Sequence, residues 1–222
     1  MNNQYIVCGI STGCGKSVVS SVLYDLLKRQ TSSDPLIIKP IQTGNQLDTI
    51  FYQKCGIDKK AIVNFYTMRG ETSIHQACKE EGLTINVAQL LQDIRERLSE
   101  KRPTLIELAG GLLSPINETD TMLDLVKPLQ LPVILVVDTY LGAINHALLT
   151  IEGLTTQGVP IHGLVMNTTN AVGGYTQEAL GILSTRTKLP LIGTLPFIEA
   201  ADRGGISSPQ MKHLSEGWRL DG

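Results

Sequence analysis

Lys16 and Ser17 stand side by side at the end of Gly9-Ile10-Ser11-Thr12-Gly13-Cys14-Gly15, a grouping suited to holding a chain of phosphates. Glycines let a backbone curl until successive N–H groups converge on one anion. A lysine ammonium then adds a point charge toward the β and γ phosphates, and a serine hydroxyl is placed to ligate the Mg²⁺ that accompanies them. The flanking segments are those such a loop requires. Gln4 to Cys8 is a β-prone run, and Val18, Val19, Val22, Leu23, Leu26 and Leu27 fall on one face of a helix. Strand, glycine-rich loop, Gly-Lys-Ser and helix in that order read as a P-loop, with the anion at the helix N-terminus. Gly9 and Gly15 enclose five residues, whereas the common form has about four. Ile10 therefore occupies the strict first-glycine position.

Three further charged residues carry candidate chemistry. Lys39 ends the β-prone run Pro35 to Pro40, ahead of a loop at Ile41-Gln42-Thr43-Gly44. At the C-terminal end of a strand in an open α/β sheet a lysine projects into the ligand crevice; the alternative is a solvated strand-end charge. Asp48 opens a short helix, either as an N-terminal helix charge or as a metal carboxylate. Glu107 lies in the strand Thr104 to Ala109, ahead of Gly110 and Gly111. An acid at the tip of a strand beside a P-loop holds or orients Mg²⁺, and a buried strand seldom carries an unpaired acid. Glu107 is read as functional.

The rest of the chain supplies the frame. Residues 50–85 carry the weakest pattern, with a short helix around Glu71 to Ala77. An amphipathic helix spans Asn86 to Lys101, and a short one Thr121 to Leu129. A strand at Pro132 to Asp138, a helix from Gly142 to Thr156, a strand at Ile161 to Asn167, a helix from Tyr175 to Thr187 and a strand at Leu191 to Leu195 follow. For most of Glu199 to Gly222 no regular structure is expected. The alternation predicts an α/β protein, a single-domain P-loop NTPase-like three-layer fold over residues 1–222 with a mainly parallel sheet and right-handed crossovers.

Composition narrows the partners. A net charge of −2 leaves no basic footprint, so nucleic acid is not an expected partner. The longest apolar run, Val133 to Val137 behind Leu131-Pro132, falls far short of a membrane span. The first strand begins at once, so no signal peptide is expected. The cysteines at 8, 14, 55 and 78 show neither metal-ligand spacing nor a disulfide framework, which suits a reduced cytoplasm. Cys14 is read as an incidental side chain in a loop that works through its backbone.

Four spaced motifs, in order, resemble the dethiobiotin synthetase family. They are the long P-loop from Gly9 to Ser17; Lys39-Pro40-Ile41-Gln42-Thr43-Gly44; Glu107-Leu108-Ala109-Gly110-Gly111-Leu112-Leu113-Ser114-Pro115; and Leu131 to Val137 followed by Leu141-Gly142-Ala143-Ile144-Asn145-His146-Ala147-Leu148-Leu149-Thr150. That family closes the ureido ring of dethiobiotin from 7,8-diaminononanoate, CO2 and ATP with Mg²⁺, through a carbamate and a carbamic-phosphoric anhydride, and its members are homodimers. The resemblance implies that Lys39, Lys16 and Thr12 are catalytic, and that Ser17, Asp48 and Glu107 hold the metal. It implies a nucleotide site from Gly13, Cys14, Gly15, Lys16, Ser17 and Val18, with Asp48, Glu107, Leu108, Ala109 and Gly110. Asn167 would read adenine, with Thr168, Pro196, Phe197 and Ile198 beside it. Thr12, Lys39, Thr43, Gly110 and Gly111 would meet the substrate, whose carboxylate would lie on the Gly142–Asn145 helix start of the neighbouring subunit.

Four positions depart from the family pattern: Gly13 stands where an acid is frequent, Leu108 replaces a glycine, Ile74 replaces a proline, and the Tyr175 region does not align with a tyrosine some members use. Two other readings compete. One is a related P-loop amidoligase-type enzyme. The other is a ParA/MinD-like switch ATPase, which carries a signature lysine five residues before the P-loop lysine, where this chain has Ser11.

Overall fold

The computed structural model describes residues 3–31, 33–169, 176–198 and 205–220. The chain runs β1 (Gln4–Gly9), α1 (Lys16–Thr31), β2 (Leu36–Thr43), α2 (Asp48–Lys54), β3 (Ile62–Met68), α3 (Ile74–Glu81), α4 (Val87–Leu98) and β4 (Thr104–Gly111). It continues through α5 (Met122–Val126), β5 (Val133–Asp138), α6 (Ala143–Thr156), β6 (Ile161–Asn167), α7 (Thr176–Thr187), β7 (Leu191–Leu195) and α8 (Ser208–Leu214).

The strands form one seven-stranded sheet, ordered β3-β2-β4-β1-β5-β6-β7. Every neighbouring pair is parallel. Parallel strands are covered on both faces, which is why β1 and β5 read as continuous apolar runs and are buried at every residue. Crossovers toward β3 and crossovers toward β7 go to opposite faces when all are right-handed. Accordingly α1 packs with α2 and α8, while α4 packs with α5 and α6 with α7.

Because all strands run the same way, the loops at their C-terminal ends share one edge of the sheet. The chain leaves the central β1 for β2 and leaves a gap that β4 later fills, a switch in direction that opens a crevice at this edge. The β2–β4 ladder ends at Ile38 and Ile106. The next residue on each strand is charged, Lys39 and Glu107, so both stand at the head of the notch where the strands part. Pro40 lies just past that ladder, where its missing N–H breaks no bond to β4.

Three features differ from the pattern-based expectation. Ile41 to Thr43 continue β2 instead of forming a loop, because β3 pairs with them. That partner strand lay in the stretch with the weakest pattern: it is an edge strand, only Met68 in it is fully buried, and Asn64 and Thr67 interrupt its apolar run. The tail also folds. Ser207 and Gln210 form a reciprocal cap on α8, Ser208 Oγ donates to Asp25 at 2.9 Å, and Tyr5 Oη donates to the Leu220 carbonyl at 3.2 Å. Tyr175, assigned above to a helix start, lies outside the described residues.

Candidate active site

The P-loop spans β1 to α1, and its lysine bends back over it. Lys16 is buried, and its Nζ donates to the Ser11 carbonyl at 2.9 Å and lies 4.0 Å from Cys14 Sγ. Gly15 is required here on two counts. Its φ is +86°, in the left-handed region that favours glycine, and a Cβ on it would stand 1.9 Å from Asn167 Nδ2. That amide donates to the Cys14 carbonyl at 3.0 Å, so β6 braces the loop from the side. Gly15→Ala is therefore expected to dislodge Asn167 and distort the loop. ATP affinity measured by calorimetry should fall on the order of tenfold or more, since positioned backbone N–H groups are what the loop offers a phosphate. Unchanged affinity would show that the brace is dispensable.

Lys39, Asp48, Glu107 and Ser17 converge on one cleft of about 880 Å³, which Thr12, Thr43 and Gly110 also line. Lys39 Nζ lies 2.7 Å from Asp48 Oδ2 and 2.8 Å from Glu107 Oε1, and donates to the Leu108 carbonyl at 3.2 Å. The Ser17 hydroxyl is within reach of Asp48 Oδ1 and lies 2.9 Å from Glu107 Oε1. Its single proton serves one of them at a time. Burial opposes the Lys39 ammonium, yet the Glu107 and Asp48 carboxylates outweigh it and lift its pKa above the usual lysine value. Burial likewise pushes Asp48 upward, and the Lys39 charge overcomes it, holding that carboxyl below its ordinary range. Both groups are charged at neutral pH.

The oxygen chemistry fits a hard divalent cation: two carboxylates and a hydroxyl, with an ammonium already lying between the carboxylates. Among the described residues no cluster of three or more His, Cys, Asp or Glu stands together. An ion here would take its other ligands from phosphate and water, as Mg²⁺ commonly does.

The departures find local explanations. Leu108 points away from the cleft into the core, as strand alternation requires between Glu107 and Ala109, and offers only its carbonyl to Lys39. Gly13 has φ +77° and open space where a side chain would project. Ile74 is the first residue of α3 behind the Ser73 cap, a position that suits proline, and its buried side chain adds apolar contact instead. All four cysteines are free and buried, and burial pushes the Cys8 thiol up to about 12.

Gly111 N–H donates to Ser114 Oγ at 2.9 Å, shaping the turn after β4. Thr168, Pro196, Phe197 and Ile198 follow β6 and β7 and do not line this cleft. Gly142 and Asn145 do not line it either; they begin α6, which no side chain caps. Two residues that pattern reading did not single out, Ser20 and Tyr52, contact Glu107 directly. Helical spacing was the available signal, Ser20 standing three residues after Ser17 and Tyr52 four after Asp48.

The family model described as an AAA domain, AAA_26, matches residues 3–203. The ATP-dependent dethiobiotin synthetase BioD of Fusobacterium nucleatum is 37% identical over 174 residues, covering 74% of this chain and 78% of that protein. The BioD of Legionella pneumophila strain Paris is 34% identical over 198 residues, covering 85% and 91%. Among solved structures, a ParA family ATPase from Chlorobium tepidum aligns with a TM-score of 0.59 at 11% identity, covering 98% of this chain and 93% of that one. At that identity the likeness speaks for the P-loop NTPase fold alone. Sequence similarity of this depth over most of both partners' length carries the conclusion that the chain belongs to the dethiobiotin synthetase family, ATP-dependent ligases of biotin biosynthesis.

Proposed function

We propose that the protein carboxylates 7,8-diaminononanoate with CO2 and closes the ureido ring of dethiobiotin, converting ATP to ADP and phosphate. The observation that carries this reading is the convergence of Lys16, Lys39, Ser17, Asp48 and Glu107 on a single cleft at the C-terminal ends of β1, β2 and β4. One substrate amine adds to CO2 and gives up a proton, leaving a carbamate. A carbamate oxygen attacks the γ-phosphorus, and the bond to the ADP oxygen breaks. The second amine then attacks the carbamic-phosphoric carbonyl and gives up a proton, the bond to the phosphate oxygen breaks, phosphate leaves, and the ring closes. Negative charge stands on the carbamate and the γ-phosphoryl group before transfer and shifts toward the ADP oxygen as the bond breaks, and Lys16 and Lys39 flank that region. Fixed positive charge, held in place before reaction, is what phosphoryl transfer asks of a protein. Ser17, Asp48 and Glu107 would hold a Mg²⁺, whose contribution is to neutralise phosphate oxygens.

The test is product formation. Full-length protein with ATP, Mg²⁺, bicarbonate and diaminononanoate should release ADP and yield dethiobiotin by mass spectrometry. ADP release indifferent to the diamine, with no dethiobiotin, would overturn the reading.

The same reading places the substrate carboxylate on α6 of a second subunit. Gly142 and Asn145 do not line the cleft of their own chain. Leu141 is 85% exposed, Leu149 63% and Leu113 67%, a degree of apolar exposure that a partner subunit would cover. First-turn N–H groups of a helix lack intrahelical partners and suit a carboxylate. Mixing inactive Lys16→Ala protein with a substrate-binding-defective Asn145→Ala protein should therefore restore activity. Each heterodimer would hold one site with both lesions and one with neither. No recovery despite verified subunit exchange would mean that each chain binds substrate alone.

A further inference from the structure

Glu107 is held from behind by two hydroxyls. Its carboxylate is wholly buried, and its oxygens have different partners. Oε1 faces the cleft, with Lys39 at 2.8 Å and Ser17 at 2.9 Å. Oε2 faces the protein and accepts from Tyr52 Oη at 2.7 Å and from Ser20 Oγ. Ser20 and Tyr52 are completely buried too, so neither hydroxyl can exchange this acceptor for water. Both donors are neutral, so they orient the carboxylate without neutralising it. Burial, with the Glu107 and Asp48 charges nearby, pushes the Tyr52 phenol well above its usual value, and it remains a donor at any working pH.

The two hydroxyls come from different elements. Ser20 lies on α1, one turn beyond Ser17, and Tyr52 lies on α2, one turn beyond Asp48. The Tyr52–Glu107 bond therefore ties the helix that carries one cleft carboxylate to the strand that carries the other. α2 has only seven residues, and no side chain caps its start. At that end Asp48 meets Lys39 at 2.7 Å, and Gln42 holds Thr49 twice, its Oε1 accepting from Thr49 N at 3.3 Å and its Nε2 donating to Thr49 Oγ1 at 3.0 Å.

We propose that Tyr52, with Ser20 beside it, is a positioning residue that turns Glu107 Oε1 into the cleft and fixes its separation from Asp48, so that the two carboxylates act as one divalent-cation site. This rests on the reading of Ser17, Asp48 and Glu107 as the Mg²⁺ ligands. Removing the phenolic oxygen takes one of the two hydroxyls from Glu107 Oε2 and the direct bond between α2 and β4, leaving the Lys39 and Ser17 bridges between Asp48 and Glu107, while the phenylalanine ring still fills the core. Hydrogen-bond partners of metal ligands typically contribute roughly 10- to 100-fold to metal affinity.

The experiment is Mn²⁺ titration of the full-length protein with AMPPNP bound, followed by electron paramagnetic resonance. Tyr52→Phe should weaken Mn²⁺ binding roughly 10- to 100-fold and raise the Mg²⁺ concentration for half-maximal turnover in step. The rate at saturating Mg²⁺ should fall less, and nucleotide affinity without metal should not change. A lowered melting temperature with wild-type Mn²⁺ affinity would show that the hydroxyl serves packing only, and would overturn the proposal. Asp48→Asn separates the two levels. If Asp48→Asn also leaves Mn²⁺ affinity intact, the metal assignment itself fails; if it weakens binding and Tyr52→Phe does not, only the positioning role fails. Should Tyr52→Phe not fold, Ser20→Ala probes the same oxygen and must shift Mn²⁺ affinity in the same direction.

Discussion

Lys16→Ala is expected to fold and to lose on the order of a thousandfold in kcat, the scale seen when a preorganised charge is removed from a phosphoryl-transfer site. The side chain begins α1 and reaches back across the loop to the Ser11 carbonyl. Its removal takes one hydrogen bond from the protein but no part of the sheet or the core. The chemistry loses more. Charge moves from the γ-phosphoryl group onto the ADP oxygen as the bond breaks, and a buried ammonium offsets it where water cannot replace it. KM for ATP should rise by a smaller factor than kcat falls, because loop N–H groups still hold the phosphates in the ground state. Circular dichroism and melting establish folding, and initial rates of ADP release give kcat. Near-wild-type turnover in a folded variant would remove Lys16 from the reaction and undermine the P-loop assignment.

The parts legible in the sequence were those where burial or backbone geometry leaves few choices. The continuous apolar runs of β1 and β5 could only be interior strands. Gly-Lys-Ser between a strand and an amphipathic helix has one common structural meaning. Glu107 declared itself as an acid in a strand with no exposed face. The edge strand β3 did not, because half-exposed residues carry little periodicity. α8 escaped as well, although Ser207 and Gln210 spell a capping pair, because a seven-residue helix offers too few turns to show a face. Tyr52 escaped for another reason. A tyrosine in a short amphipathic segment looks like ordinary core, and only the fold shows that its hydroxyl meets a carboxylate 55 residues away. Asn167, which the family resemblance assigns to adenine, has a second contact that no sequence pattern announced: its amide nitrogen bonds the P-loop carbonyl of Cys14.

Lys39→Gln should collapse product formation while leaving metal-free ATP affinity near wild type, and it should leave a mark on stability that Lys16→Ala does not. Lys39 lies across the cleft from the loop lysine and is the cation shared by Asp48 and Glu107. Glutamine keeps hydrogen-bond donors but no charge, so two carboxylates are left facing each other, one of them fully buried. Breaking a buried ion pair from one side typically costs about 3–5 kcal/mol; the partial exposure of Asp48 puts this case toward the low end. The sign of the pH dependence follows from the shifts. Lys39 is raised above 10.5, so its contribution is complete below that value and lost as pH climbs through the folded pKa. Asp48 is lowered below 3.8, so its contribution is complete above that value and lost as pH falls through the folded pKa. The wild-type share of this stability should therefore hold between those limits and fall away outside them, closing the gap to Lys39→Gln. Mg²⁺ should narrow the gap, since a divalent cation can relieve the same repulsion that the ammonium relieves. Thermal melts across pH, with and without Mg²⁺, measure this, and rates at saturating ATP and Mg²⁺ measure the chemistry. Catalysis preserved at saturating ATP, together with a large loss of ATP affinity, would assign Lys39 to the nucleotide and not to the acceptor.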